Sequence, residues 1–210
     1  AHEARRVGID FLATPFDEDA LDFVVGLGVR ALKIGSGDLT HRPLLERAGR
    51  TGLPVLLSTG MATLEEIDAA RRILHRAGAC PVCLLHCVSL YPTLPERANV
   101  LGVRTLLERF GTPVGYSDHT LLGISALGAV ALGATVIEKH LTLDRRAPGP
   151  DHAASFEPVP FREMVKQIRE METALGDGRR IPSPEERAVA RAARRSLVVA
   201  RDVPRGGRVR

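Results

Sequence analysis

Six short apolar runs recur along the chain at intervals of about 20–30 residues, each closed by a small polar cluster and followed by an amphipathic stretch. They are VGIDFLA (7–13), ALKIG (31–35), PVLLS (54–58), VCLLHC (82–87), PVGYS (113–117) and ATVIEKH (134–140). Between them the hydrophobic spacing predicts helices over 17–27, 43–51, 63–77, 102–110 and 122–132. The third is the most fully specified, with a Thr63-x-x-Glu66 capping box at its start and Gly78 at its end. Strands joined through helices at this spacing are parallel. Their runs are apolar throughout rather than alternating, as expected when both faces of a sheet are covered. Strict strand-helix order predicts an α/β fold of the (β/α)8 TIM-barrel type, with about six of the eight units present. A doubly wound sheet is the alternative. It would carry a Gly-rich phosphate turn after its first strand, where FLATPFDEDA stands instead.

The pattern changes after residue 158. PVPFREMVKQIREMETALG predicts a helix ending at Gly176, GDGRRIPSP a linker, and EERAVARAARRS a basic, solvated helix. LVVARDVPRGGRV then predicts a new strand and turn. The expected organisation is a partial barrel over 1–175, a linker and helix over 176–195, and the start of a further domain over 196–210. Both ends read as cut from a longer chain.

Composition narrows the function. Hydrophobic residues make up 44% of the 210 and charged residues 26%, enough for a substantial core. Aromatic residues are only 4%, Trp is absent, and the net charge of +4 comes from Arg. A nucleic-acid partner would call for a basic face with interleaved aromatics, which is missing. A modest positive balance suits an anionic small substrate. No run is long enough for a membrane span and no signal peptide is visible, so a cytoplasmic protein is expected. Cys80, Cys83 and Cys87 have a spacing that tempts a metal reading, but VCLLHC reads as a buried strand. All three read as reduced core residues.

In a parallel barrel, chemistry gathers at the C-terminal ends of the strands. The strand ends here carry Thr14, Lys33 with Ser36, Ser58-Thr59, His86 with Ser89, Ser117-Asp118-His119, and Glu138 with His140. Helix capping accounts for about half of these, but not for a Lys, a Glu and three His. Lys33, inside ALKIGSGD, is a costly charge near a barrel interior and calls for an anion. With the Gly/Ser turn behind it, it reads as a cradle for phosphate or carboxylate. His119 and His140 end adjacent predicted strands and can converge on a metal, leaving positions for water and a substrate oxygen. His86 sits inside its strand and is given a structural or supporting role. Asp118 reads as a cap for the next helix, with the orienting of an imidazole as the alternative. Pro148-Gly149-Pro150 stiffens a loop that presents Asp151, a carboxylate suited to substrate hydroxyls.

The stretches ATPFD, LKIGSGDL, LLSTGMATLEEI, LLHCVSLYPT, GYSDHT, ALGATVIEKHLTL and GPDHAASFEP run in order from about residue 9 to 158. Together they resemble the N-acetylneuraminate (sialic acid) synthase family, with its legionaminic, pseudaminic and spore-coat sugar relatives. The resemblance implies condensation of phosphoenolpyruvate with an N-acetylated hexosamine to a nine-carbon 2-keto acid and phosphate. It implies a divalent metal on His119 and His140, commonly Mn2+, with Mg2+ or Co2+ as alternatives. Lys33 and Ser36 correspond to phosphoenolpyruvate contacts, with Thr14, Ser89 and Ser117 nearby; Tyr91 and Asp151 correspond to sugar contacts. Glu138, Asp151 and Lys33 are the expected catalytic set, Glu138 lying beside the metal. Some members carry Asn where this chain has Ser89. The family's first two strands, with an acidic residue and a phosphate-binding Lys, have no counterpart here, so the 210 residues alone are expected to be inactive. The C-terminal end resembles the entry to the family's antifreeze-like domain, through which the whole protein would form a homodimer. Two other readings stay open: another phosphoenolpyruvate-dependent 2-keto-3-deoxy sugar acid synthase, or a binding module without activity.

Overall fold

The computed structural model describes residues 1–79 and 81–208 and divides the chain into two units, Ala1–Leu175 and Gly176–Arg210. The first unit is built on five parallel strands: β1 (Leu32–Ile34), β2 (Val55–Ser58), β3 (Val82–Cys87), β4 (Val114–Asp118) and β5 (Val136–Lys139). They pair in chain order, β1-β2-β3-β4-β5. This sequential order belongs to an arc of a barrel; a doubly wound sheet reverses direction at a switch point. Helices α1 (His2–Val7), α2 (Glu18–Gly26), α3 (Arg42–Arg50), α4 (Leu64–Ala77), α5 (Gly102–Phe110), α6 (Ile124–Ala131) and α7 (Pro158–Leu175) accompany the strands. The capping box of α4 forms as expected: Glu66 N donates to Thr63 Oγ1 at 3.3 Å and Thr63 N to Glu66 Oε2 at 2.8 Å. Gly78, at φ 120°, ends that helix in the left-handed region.

Strand alternation separates two faces. Leu32, Ile34, Val55, Leu57, Val82, Leu84, Val114 and Tyr116 pack in one core with Leu21, Leu44, Leu45, Ile67, Leu74, Val103 and Leu106 of the helices. The register places Lys33, Ser58, Cys87, Ser117 and Glu138 on the opposite, inner face. Gly115 lies on that face too. A Cβ there would come within 2.5 Å of Leu85 Cδ2 and 2.6 Å of the Val136 carbonyl. Gly115→Ala should therefore wedge β4 from its neighbours and cost about 1–3 kcal/mol, read as a lowered midpoint in chemical denaturation.

Two expectations change. The run 7–13 is not a strand: α1 ends at Val7, and Ile9 N donates back to the Ala4 carbonyl. Phe11 and Ala13 do pack against the core, which is the source of the apolar pattern, but among the described residues β1 pairs only with β2. Burial alone does not make a strand; a ladder partner does. Five strands therefore stand where six were expected. The run after residue 195 likewise forms no strand among the described residues, Leu197 and Val198 being exposed without a ladder. Among its described residues the second unit has one helix, α8 (Pro184–Ala193), opened by a Ser183/Glu186 capping box. Among the described residues no helix is long and apolar enough to cross a membrane.

Cys83 and Cys87 are free and buried, while Cys80 lies outside the described residues. Burial pushes the Cys83 thiol from an ordinary 9.0 up to about 11. Its thiolate fraction at pH 8 should be ~100-fold below that of an exposed thiol. Peptide mapping after brief alkylation should find Cys83 unmodified in the native protein and fully modified in denaturant.

Candidate active site

The inner face opens at the C-terminal ends of the strands into a cavity of about 800 Å³. Lys33, from β1, reaches into it with its side chain only 11% exposed. Its Nζ donates to Ser58 Oγ at 2.8 Å and lies 3.5 Å from Glu138 Oε2. Glu138 Oε1 in turn accepts from Ser117 Oγ at 2.6 Å. A relay of four side chains thus runs from β2 through β1 to β5 and β4. This also measures the shape of the sheet. Five flat strands would hold β1 and β5 ~19 Å apart at ordinary strand spacing, beyond the joint reach of a Lys and a Glu. The 3.5 Å contact requires the sheet to curl until its two edge strands face each other across the cavity.

The turn after β1 supplies the floor. Ser36 Oγ accepts from Gly60 N at 3.0 Å and sits 3.2 Å from Cys87 Sγ. A Cβ at Gly60 would lie 2.8 Å from Cys87 Sγ and 2.9 Å from Ser36 Oγ, so only glycine admits this approach. Thr14 and Ser89 line the same cavity. The result is one ammonium, five hydroxyls and a backbone turn gathered on one wall, chemistry suited to an oxyanion.

On the other wall, His119 and His140 lie just beyond the ends of β4 and β5, with ring centroids 5.4 Å apart. His119 Nδ1 is 2.8 Å from the Val88 carbonyl, which assigns the proton to Nδ1 and leaves Nε2 as the bare nitrogen. Burial pushes the His119 pKa down, the Val88 hydrogen bond opposing it, so the neutral, ligating form is favoured. Tyr91 stacks at 4.2 Å on His119 and meets His140 edge-on at 5.7 Å. Burial, with Cys87, Asp151 and Glu138 nearby, pushes the Tyr91 hydroxyl up. Asp151 Oδ2 lies 4.0 Å from His140 Nδ1. Its loop is tied down by Ser155 Oγ donating to the Asp151 carbonyl at 2.7 Å and by Thr142 Oγ1 bonding His152 Nδ1 at 2.7 Å.

Among the described residues no three His, Cys, Asp or Glu are grouped to hold a metal ion. The pair of imidazoles therefore does not make a closed tetrahedral zinc site. Two convergent imidazoles facing the cavity are donors that would suit part of a divalent cation's ligand set, with positions left for water and substrate oxygens.

The ten residues expected in the site all reach this region: Thr14, Lys33, Ser36, Ser89, Tyr91, Ser117, His119, Glu138 and His140 line the cavity, and Asp151 stands beside His140. Ser58 reads from sequence only as a strand end, and its bond to Lys33 follows from the β1–β2 pairing. Asp118 does not cap a helix. Gly123 occupies the N-cap of α6, and Asp118 instead forms a buried ion pair with Lys139 at 2.9 Å. Lys139, between Glu138 and His140, escapes sequence reasoning, because a lone Lys on a strand carries no signal of its partner. His86 faces the helices, stacked 5.8 Å from Tyr116 with Nε2 3.2 Å from the Ala98 carbonyl, a structural position.

Known proteins give the same outline. The NeuB family model matches residues 1–180. The N,N'-diacetyllegionaminic acid synthase of Legionella pneumophila is 41% identical over 210 residues, covering 98% of this chain and 59% of that protein. The N-acetylneuraminate-9-phosphate synthase of Homo sapiens is 36% identical over 204 residues, covering 97% of this chain and 56% of that protein. The chain thus spans somewhat over half the length of these relatives. Among solved structures, the N-acetylneuraminic acid synthetase of Leptospira borgpetersenii superposes with a TM-score of 0.85 at 38% identity, over 91% of this chain and 67% of that one. A phospho-2-dehydro-3-deoxyheptonate aldolase from Thermotoga maritima shares the fold at a TM-score of 0.75 and 21% identity, over 83% of this chain and 54% of that one. With a family model spanning most of its length and the strand-end residues gathered in one cavity, this chain belongs to the NeuB family.

Proposed function

We propose that the whole protein condenses phosphoenolpyruvate with an N-acetylated hexosamine and water, releasing phosphate and a nine-carbon 2-keto sugar acid. The observation that carries this reading is the cavity with an anion cradle on one wall and two convergent imidazoles on the other. Lys33, Ser36, Ser58 and Ser117 would hold the phosphate and carboxylate of phosphoenolpyruvate, leaving its carbon 3 directed toward the imidazole wall. His119 and His140 would hold a divalent cation, Mn2+ in the first instance, which supplies a Lewis acid for the sugar aldehyde. Tyr91 and Asp151, at the mouth beside the imidazoles, would take the sugar hydroxyls. Carbon 3 attacks the aldehyde carbon, and water adds at carbon 2 as the double-bond electrons form the new carbon–carbon bond. Glu138 is the carboxylate placed between Lys33 and Ser117 to take the proton of that water. That proton goes to the new alkoxide of the former aldehyde, and the tetrahedral centre then expels phosphate, its hydroxyl collapsing to the keto group as its proton leaves with the phosphate. Holding the reactants in line is worth several kcal/mol of the barrier, in the range of ~7–11 kcal/mol for well-oriented intramolecular reactions.

We also place the five strands in an eight-stranded barrel and the whole protein in a homodimer, on the strength of the family resemblance. The test is phosphate release by the full-length protein with phosphoenolpyruvate, Mn2+ and N-acetylmannosamine, with and without a phosphate on the sugar. Turnover with an amino sugar, lost on chelation, is expected. Turnover confined to neutral or phosphorylated sugars lacking the N-acetyl group would assign the protein to a 2-keto-3-deoxy sugar acid synthase instead.

A further inference from the structure

The inner face of β4 and β5 carries Ser117 and Glu138; one residue further on, the register pairs Asp118 with Lys139. Alternation turns this second pair to the outer side of the same two strands. Both side chains are sealed, at 0% and 1% exposure, and meet at 2.9 Å. Lys139 Nζ also donates to the Thr120 carbonyl and stands 4.1 Å from the centre of the Phe156 ring. The other Asp118 oxygen accepts from Thr120 N at 2.9 Å. Phe156 N in turn donates to the His140 carbonyl at 2.9 Å. One ammonium therefore grips both chain neighbours of His119, is itself the chain neighbour of His140, and lies under a ring whose backbone is bonded to His140.

Burying such a pair is not in itself a route to stability, since apolar replacements of similar volume are often neutral or stabilising. Its position accounts for it better. The β4–β5 ladder ends at Asp118 and Lys139, and His119 and His140 lie one residue beyond it. Among the described residues each histidine carbonyl accepts a bond from outside these strands, from Thr93 N and Phe156 N at 2.9 Å, but no ladder hydrogen bond joins His119 to His140. The ion pair closes the strand ends at that point. We propose that Asp118 and Lys139 are positioning residues that fix the separation of the His119 and His140 rings and thereby the geometry of a divalent cation held between them. The cation rests on the functional reading above; the ring separation does not.

The test compares the chain with Asp118→Asn/Lys139→Met, which removes both charges together and keeps side-chain volumes. A surface double variant, Asp22→Asn/Arg47→Met, serves as control for an exposed pair. Calorimetry should show Mn2+ binding weakened ~10–100-fold in the first variant, with a near-normal melting temperature, and unchanged in the control. Its crystal structure should show the rings displaced from their 5.4 Å separation. In the full-length protein kcat should fall while KM for phosphoenolpyruvate stays, because the anion cradle lies on the other face. A folded variant with unchanged Mn2+ affinity and unchanged ring separation overturns the proposal. Failure of the unaltered chain to bind Mn2+ removes the metal reading and leaves ring separation alone to decide the positioning role. If the double variant does not fold, Asp118→Asn alone keeps the Thr120 hydrogen bond and is judged by the same two measurements.

Discussion

Replacing His119 or His140 by alanine should abolish Mn2+ binding to the chain and lower turnover of the full-length protein on the order of 10³-fold or more. On the proposed reading each imidazole would be half of the protein's ligand set at this wall, since no third His, Cys, Asp or Glu joins them among the described residues. Stabilising charge on a developing alkoxide is worth several kcal/mol, and each 1.36 kcal/mol is about tenfold in rate. The fold should survive. His140 is partly exposed, and among the described residues the His119 side chain makes one hydrogen bond, to the Val88 carbonyl at 2.8 Å. Calorimetric titration with Mn2+ checks the prediction directly, with melting temperature as the control. Undiminished affinity in both variants would remove the metal from this wall.

Lys33→Ala should act on the opposite wall and on the other substrate. The ammonium is the one cation in the relay from Ser58 to Ser117, and its loss leaves Glu138 as the dominant charge there. An anion then loses a charge-assisted hydrogen bond, worth about 1.5–3 kcal/mol, and meets a carboxylate instead. KM for phosphoenolpyruvate should rise ~10–100-fold or more, with a smaller change in KM for the sugar. The Glu138 side chain is 40% exposed, so water screens the orphaned carboxylate and the fold should tolerate the change. Adding Glu138→Gln to Lys33→Ala should recover part of the phosphoenolpyruvate affinity while turnover stays low, because the proposed proton acceptor is gone. An effect of Lys33→Ala confined to the sugar would reverse the assignment of the two walls.

Much of the fold is legible in the amino-acid sequence. The five β-strands, with the helices between them, fall where the apolar runs and amphipathic spacing put them, because a parallel sheet covered on both sides leaves a strong periodic trace. The run 7–13 misleads for the same reason. Phe11 and Ala13 bury their side chains as strand residues do, but their backbone has no ladder in the described residues. The terminal run LVVARDV misleads in a related way, its apolar residues standing in solvent. Periodicity points to burial, and pairing depends on a neighbour that local sequence does not name.

The candidate site divides along a similar line. That Lys33, Glu138, His119 and His140 stand at strand ends follows from sequence, since a Lys or Glu inside an apolar run is too costly to leave unexplained. What sequence does not contain is who meets whom. Lys33 and Glu138 are 105 positions apart on strands at opposite edges of the sheet, and only its curl brings them to 3.5 Å. Asp118 has the sequence setting of a helix cap, and only the register of β4 against β5 sets it beside Lys139. Local patterning determined the alternation of strand and helix and the residue types at each strand end. Tertiary structure alone decided the curl and the partners, because hydrogen-bond register and strand closure are long-range contacts with no local trace.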